Sequence, residues 1–176
     1  VVNYLGERAA FYSHLVGVFN LYNILAAIGA VIKLTNTPLE KICDEISAFA
    51  GVSGRMELVN SNPEIVVDFA HTADGIKNAC GAVTHKKVVA LFGAGGDRDK
   101  TKRPQMGHEA SMIAHKIYLT SDNPRSEDPK SIIDDIYEGI ALKEKVEIIV
   151  DRKKAIETAI DNLNEDEVLL VLGKGD

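Results

Sequence analysis

Apolar residues change their spacing partway along this 176-residue chain, and the change predicts its architecture. From Val18 onward Leu21, Leu25, Ile28 and Ile32 recur at helical spacing, and Phe19, Ile24 and Val31 widen the stripe. That pattern predicts a buried helix. Thr37-Pro38-Leu39-Glu40 reads as a capping box with proline at the first helical position. The second helix runs through Ile42 and Ile46 to Phe49, and Gly51 stops it. Residues 1–17 show no helical stripe and are expected to be extended. Beyond Gly54-Arg55 the pattern alternates. Nearly all-apolar runs at 65–69, 88–92, 116–120, 146–150 and 168–172 predict strands. Segments at 73–82, 104–114, 129–141 and 152–163 predict the helices between them, the last two capped by Asp128 and Asp151. Repeated βα units with doubly buried strands imply right-handed crossovers and a mainly parallel sheet with helices on both faces. The fold class is therefore a Rossmann-like α/β domain preceded by a helical segment. The switch of pattern puts a boundary in the stretch Val52–Glu57.

Composition narrows what such a fold is for. A hydrophobic content of 45% with 26% charged residues is that of a globular protein. The net charge of −6 excludes the basic stripes that nucleic-acid binding needs. Cys43 and Cys80 form no C-x-x-C pattern and read as core thiols in a reducing compartment. The five histidines are scattered, so no metal ligand is assigned. No apolar run approaches the roughly 20 residues that span a bilayer, and no signal-peptide pattern opens the chain. A cytoplasmic location is expected, with neither nucleic acid nor membrane as partner. The chain opens at Val1 without a methionine and stops just after a strand, as a piece of a longer protein would.

Candidate chemistry collects where the strands end. In open α/β sheets ligands bind at the carboxyl ends of the strands. Here those ends carry Asp68-Phe69-Ala70-His71-Thr72, GAGGDRDK at 93–100, SDNPR at 121–125, and Gly173-Lys174-Gly175. The glycine stretch fails as a dinucleotide fingerprint, because Arg98 stands where a small residue must let the helix approach. A nicotinamide dehydrogenase is disfavoured for that reason. Its charges are either a self-paired solvated cluster or one wall of a site. Arg98 and Arg125 on neighbouring strand ends favour the site, since two guanidiniums repel unless an anion lies between them.

Other residues stay open to two readings. Asp68 can accept from ribose hydroxyls or act in acid–base chemistry with His71, which is otherwise structural. No nucleophile has a suitable setting, so no catalytic residue is assigned. Arg55, between a glycine turn and a strand, is a surface charge or a phosphate clamp. Asn20 and Asn23 cap their helix or read a polar heterocycle.

Laid out in order, FNLYN, GRMEL, DFAHT, FGAGGDRDKTKRPQMG, TSDNPR, DIYEGI and LGKG closely resemble the Mur ligases, and within them the MurE type. The resemblance spans the chain from Gly17 onward. It implies an enzyme that uses ATP and Mg²⁺ to phosphorylate the carboxylate of a UDP-muramoyl dipeptide. The amine of an incoming diamino acid then attacks the acyl phosphate to make an amide in peptidoglycan precursor synthesis. By this resemblance residues 1–57 end the central ATP-binding domain and 58–176 form the C-terminal domain. Asn20 and Asn23 would lie near adenine, Arg55 near the phosphates and Asp68 near the ribose. Arg98, Asn123, Arg125 and backbone at Gly173 would hold the diamino acid. The DNPR arginine implies meso-diaminopimelate, whose far carboxylate lysine lacks.

The departures are equally informative. The ATP-cradling G-x-x-G-K-[ST] loop and the family's carbamylated lysine are absent, so most Mg²⁺ ligands are expected upstream, in the missing N-terminal and central domains. This polypeptide alone is expected to lack ligase activity. Asp176 stands where the family's GKGHE has histidine, which leaves the amine end of the site undefined. Two other functions share these motifs: a Mur-family ligase for another amino acid or wall polymer, and a non-catalytic module that kept the fold.

Overall fold

The computed structural model describes residues 1–174, which form two compact units divided between Val52 and Ser53. Glu57 opens a strand of the second unit. Among the described residues no helix is long and apolar enough to cross a membrane.

The first unit begins with a hairpin, β1 (Val2–Tyr4) and β2 (Glu7–Ala9), turned by Leu5 and Gly6 with positive φ. Two helices follow, α1 (Val18–Leu34) and α2 (Leu39–Ala48). Ile24 and Ile28 of α1 pack with Leu39, Ile42 and Cys43 of α2, and the hairpin adds Val2 and Tyr4. Only that stripe of α1 is covered. Leu21, Tyr22 and Leu25 stay exposed, so the helix is less buried than its periodicity implies. The expected capping box at Thr37 does not form. Pro38 is extended (ψ 145°) and precedes the helix, and the Thr37 hydroxyl pairs with that of Thr35 at 2.9 Å instead.

The second unit is a six-stranded sheet of order β3-β4-β8-β5-β6-β7. Its strands are β3 (Glu57–Ser61), β4 (Glu64–Asp68), β5 (Lys87–Phe92), β6 (Lys116–Leu119), β7 (Val146–Ile148) and β8 (Glu167–Leu172). The helices are α3 (Ala73–Ala82), α4 (Lys102–Ile113), α5 (Pro129–Glu138) and α6 (Arg152–Asp161). All pairings are parallel except β3 with β4. The edge strand β3 escaped the sequence pattern because most of it is exposed and carries no apolar run.

Strand alternation sorts the core into two layers. Val88, Ala90 and Phe92 of β5 face α3, α4 and α5, with Ile76, Met106 and Ile133 packed against them. Val89 and Leu91 face the other way, toward Ala155 and Ala159 of α6. The chirality of βαβ units explains this split. Crossovers from β4 to β7 all step in one direction and place three helices on one face, and the return step to β8 places α6 on the other. Thr72, Asp128 and Asp151 cap α3, α5 and α6 through their side chains, each worth about 1 kcal/mol. Because the strands run parallel, their carboxyl ends share one edge, in the order Asp68, Gly173, the glycine loop after β5, and the loop after β6.

Candidate functional site at the carboxyl edge of the sheet

Gly93 explains how the two central loops come together. A Cβ there would overlap the Thr120 carbonyl and sit 3.1 Å from the Asp122 amide. Its absence lets the segment after β6 fold across the end of β5. Asp122 thereby reaches β8, where Lys174 Nζ lies 3.0 Å from its Oδ1. Gly96 plays the same part further along, since a side chain there would run into the Pro124 carbonyl. With no side chain in the way, Gly96 N–H donates to the Asn123 carbonyl at 2.8 Å.

The two loops then exchange bonds reciprocally. Glu127 Oε1 accepts from the Asp97 amide at 2.6 Å, while the Asp97 carboxylate accepts from the Ser126 amide at 3.2 Å and its hydroxyl at 2.6 Å. Asp97 and Arg125 both occupy the left-handed region, at φ 53° and 52°. Residues with a Cβ avoid that region unless surrounding bonds hold them there. Beneath the loops lies Arg103, fully buried. Its Nη1 and Nη2 donate to Glu127 at 3.0 and 2.8 Å, Nη1 also reaches Asp135 at 2.8 Å, and Nη2 reaches the Gly95 carbonyl at 3.3 Å.

This network bears on the two readings of the glycine-loop charges. Asp97 is committed to Ser126, Asp99 to the Thr101 amide and hydroxyl, Glu127 to Arg103 and Lys100, and Asp128 to its helix cap. None of these acids pairs with Arg98 or Arg125. Arg98 is exposed with no carboxylate partner among the described residues, and Arg125 donates only to the Gly96 carbonyl. Both lie beside Gly95, whose missing Cβ would be 3.0 Å from Arg125 Nη1 and 3.9 Å from Arg98 Cγ. Guanidiniums without a paired carboxylate suit recognition of an anion.

Acid should loosen this frame. Hydrogen bonds from Arg103, then from Lys100 and the Asp97 amide, hold the Glu127 carboxyl well below the usual 4.5. The Ser126 hydroxyl and amide lower Asp97 from 3.8. A lowered folded value contributes stability that is present above the unfolded value and lost as the pH falls through the folded one. Urea unfolding between pH 7 and pH 3 should therefore show stability falling below about pH 4.5, and less steeply in Glu127→Gln. Equal slopes for both proteins would contradict this assignment.

At the β4 end Asp68 does structural work. Its Oδ2 accepts from the Met56 amide and its Oδ1 from the Ala70 amide, each at 2.8 Å. Each oxygen keeps a second lone pair, so a hydroxyl donor still fits. Arg55 is exposed, with its Cζ 4.3 Å over the Phe69 ring and Nη1 on the Gly54 carbonyl at 3.1 Å. Its remaining N–H groups are free to meet an anion. His71 turns Nδ1 toward the Phe69 carbonyl at 3.0 Å and packs edge-on against the ring, which is the structural reading of that histidine. In the first unit Asn20 Nδ2 donates to the Val16 carbonyl at 2.7 Å and Asn23 Nδ2 to Asn20 Oδ1 at 3.2 Å. Neither caps α1, whose N-cap is Gly17.

Gly173 follows β8 with φ 81°, its Cα side 3.5 Å from Asp122 Oδ2 for an ideal Cβ. The expectation attached to Asp176 lies outside the described residues. No group of three His, Cys, Asp or Glu that could hold a metal occurs among the described residues. Burial pushes the Cys80 thiol up to about 12, which keeps it protonated and inert.

Arg103, Glu127 and Arg152 were not found from the sequence. Arg152 Nη2 donates to the Leu172 carbonyl at 2.8 Å, tying α6 to the end of β8. A signal existed for Arg103, which falls in the buried stripe of α4 with Met106, Gly107 and Ala110. An arginine at that register needs a buried carboxylate.

The mainly parallel sheet with loops gathered at its carboxyl edge is a Rossmann-like arrangement, and comparison with known proteins gives its family. Residues 54–175 match the description "Mur ligase, glutamate ligase domain". The chain is 57% identical, over 97% of its length, to the UDP-N-acetylmuramoyl-L-alanyl-D-glutamate–2,6-diaminopimelate ligase of Helicobacter hepaticus. A solved structure of a ligase of the same name is 34% identical with TM-score 0.67, and 94% of this chain aligns to 35% of that one. The pseudomurein peptide ligase type C of Methanothermus fervidus shares the fold, with TM-score 0.76 at 20% identity over 94% of this chain and 35% of its own. The chain belongs to the Mur ligase family. It spans 37% of the length of the Helicobacter hepaticus relative.

Proposed function

We propose that this chain is the carboxyl-terminal part of an ATP-dependent cytoplasmic ligase joining meso-diaminopimelate to UDP-N-acetylmuramoyl-L-alanyl-D-glutamate. The observation that carries this reading is the pair Arg98 and Arg125, left without carboxylate partners while every neighbouring acid is committed elsewhere. Arg98, Asn123, Arg125 and backbone at Gly173 take the diamino acid, with the guanidiniums on its far carboxylate. Asn20 and Asn23 serve adenine, Arg55 the phosphates and Asp68 the ribose, with residues 1–57 continuing an ATP-binding domain. The second lone pairs of Asp68 and the open N–H groups of Arg55 support their parts.

The reaction needs little covalent chemistry from this chain. ATP, with Mg²⁺ held mainly by residues upstream, activates the dipeptide carboxylate as an acyl phosphate. The residues described here orient the diamino acid so that its free amine meets that carbonyl and displaces the phosphate, and such orientation is a large part of this kind of catalysis. Lysine in the same place leaves both arginines unpaired and adds an ammonium beside them. A site built for a polar group can reject an analogue lacking it by about 10⁴-fold.

The test is phosphate release by the full-length protein supplied with ATP and the UDP-muramoyl dipeptide. Release should depend on meso-diaminopimelate and be at least about 10²-fold less efficient with lysine. Equal use of lysine, or no amino-acid-dependent release, would overturn the proposal.

A further inference from the structure

We propose that Arg103 and Glu127 are positioning residues for amino-acid capture, holding the two arginine-bearing loops at a fixed spacing before the substrate arrives. This inference rests on the reading of Arg98 and Arg125 as the carboxylate clamp. Glu127 ties the two loops together through its carboxylate. It follows Arg125 by two residues in one loop, and it accepts from the Asp97 amide, next to Arg98, in the other. Arg103 grips that carboxylate with both terminal nitrogens and takes the Gly95 carbonyl as well. The forked geometry fixes direction as well as distance.

The strained turns show why a frame is needed. Asp97 and Arg125 sit at φ 53° and 52°, and each is held by the opposite loop. Asp97 is held by Glu127, and Arg125 by the Gly96 carbonyl. Released from those bonds, both residues relax toward ordinary backbone regions and carry the guanidiniums apart. Two like charges also repel one another when no anion lies between them. The frame opposes both tendencies in the free protein. Binding then does not have to order the loops, which is the advantage of preorganisation.

A purely structural role for the network would affect the whole protein, whereas a positioning role acts on one substrate. Glu127→Gln in the full-length ligase should raise the KM for meso-diaminopimelate about tenfold or more, measured well below its melting temperature. The KM for ATP should stay within about twofold. Asp135→Asn is the matched control, because Asp135 bonds Arg103 and, among the described residues, makes no hydrogen bond to either loop. It should cost stability and leave the diaminopimelate KM unchanged. Arg103→Lys keeps one donor toward Glu127 and should fall between the two, and it stands in if Glu127→Gln does not fold. Equal KM changes in Glu127→Gln and Asp135→Asn, or a parallel rise in the ATP KM, would overturn the inference. Arg125→Ala separates the layers of the argument. If it too leaves diaminopimelate binding intact, the clamp itself is misassigned.

Discussion

Arg125→Ala in the full-length ligase is expected to raise the KM for meso-diaminopimelate about 40-fold while the KM for ATP stays within about twofold. A charge-assisted pair between guanidinium and carboxylate contributes about 1.5–3 kcal/mol, and each 1.4 kcal/mol is a factor of ten. The exposure of Arg125 argues for the middle of that range rather than the top. Truncation also removes its bond to the Gly96 carbonyl, but that loop keeps its contacts to Glu127 and Asn123. The effect should therefore be confined to one substrate. Lysine provides the internal control, because it has no carboxylate for Arg125 to lose. Its poor use should be unchanged or slightly improved, since one like charge beside its ammonium is gone, so the preference for diaminopimelate narrows. An increase in the ATP KM with no change for diaminopimelate would move Arg125 to the nucleotide site.

The second large effect lies away from the site, in helix packing. Gly139→Ala should destabilise the second unit by about 3 kcal/mol, the upper part of the range for overpacking. A Cβ on Gly139 would overlap the Pro104 carbonyl, and one on Gly107 the Ile136 carbonyl. Both clashes are against backbone, so no side-chain rotation relieves them. α4 and α5 approach closely because each presents a glycine to the other's main chain. Thermal melts should show a drop of roughly 10 °C, at about 3–4 °C for each kcal/mol in a unit of this size. Gly81→Ala, with nothing within 4 Å of its added methyl, is the control and should be neutral or stabilising. Equal melting temperatures for Gly139→Ala and the parent protein would mean that the two helices are further apart than described.

Much of the second unit was legible because its strands are buried on both faces. Val88 to Phe92 is apolar at every position, which no exposed strand or amphipathic helix would be. Asp128-Pro129 marked the start of α5 to the residue, though the helix ends at Glu138 rather than at 141. β1 and β2 fall in a segment expected to be extended, and β3 went unread; all three are short or exposed, and their pairing partners rather than their composition make them strands. Thr37 misled for a local reason, since an extended proline after it moves the helix start out of reach.

The site divides along similar lines. Arg98 and Arg125 announced themselves by charge at strand ends. The frame beneath them did not, because Arg103 meets a glutamate 24 residues away and only the tertiary fold brings the two together. The backbone duties of Asp68 were hidden for the same reason. A carboxylate that accepts amides from Met56 and Ala70 looks no different in sequence from one that waits for a ligand.

The sheet order carries a consequence for how this chain is made. β8 lies between β4 and β5, is buried along its whole length, and is the last of the described strands to leave the ribosome. Until it appears, β4 and β5 face each other across a gap one strand wide, each with an unpaired edge. Such edges invite mispairing during synthesis. The closing step joins residues more than 70 positions apart, as Lys87 with Glu167 does, so it is slow by its topology. Asp122 and Lys174 also meet only then. A growing chain thus gains its central strand and the Asp122–Lys174 contact in one event.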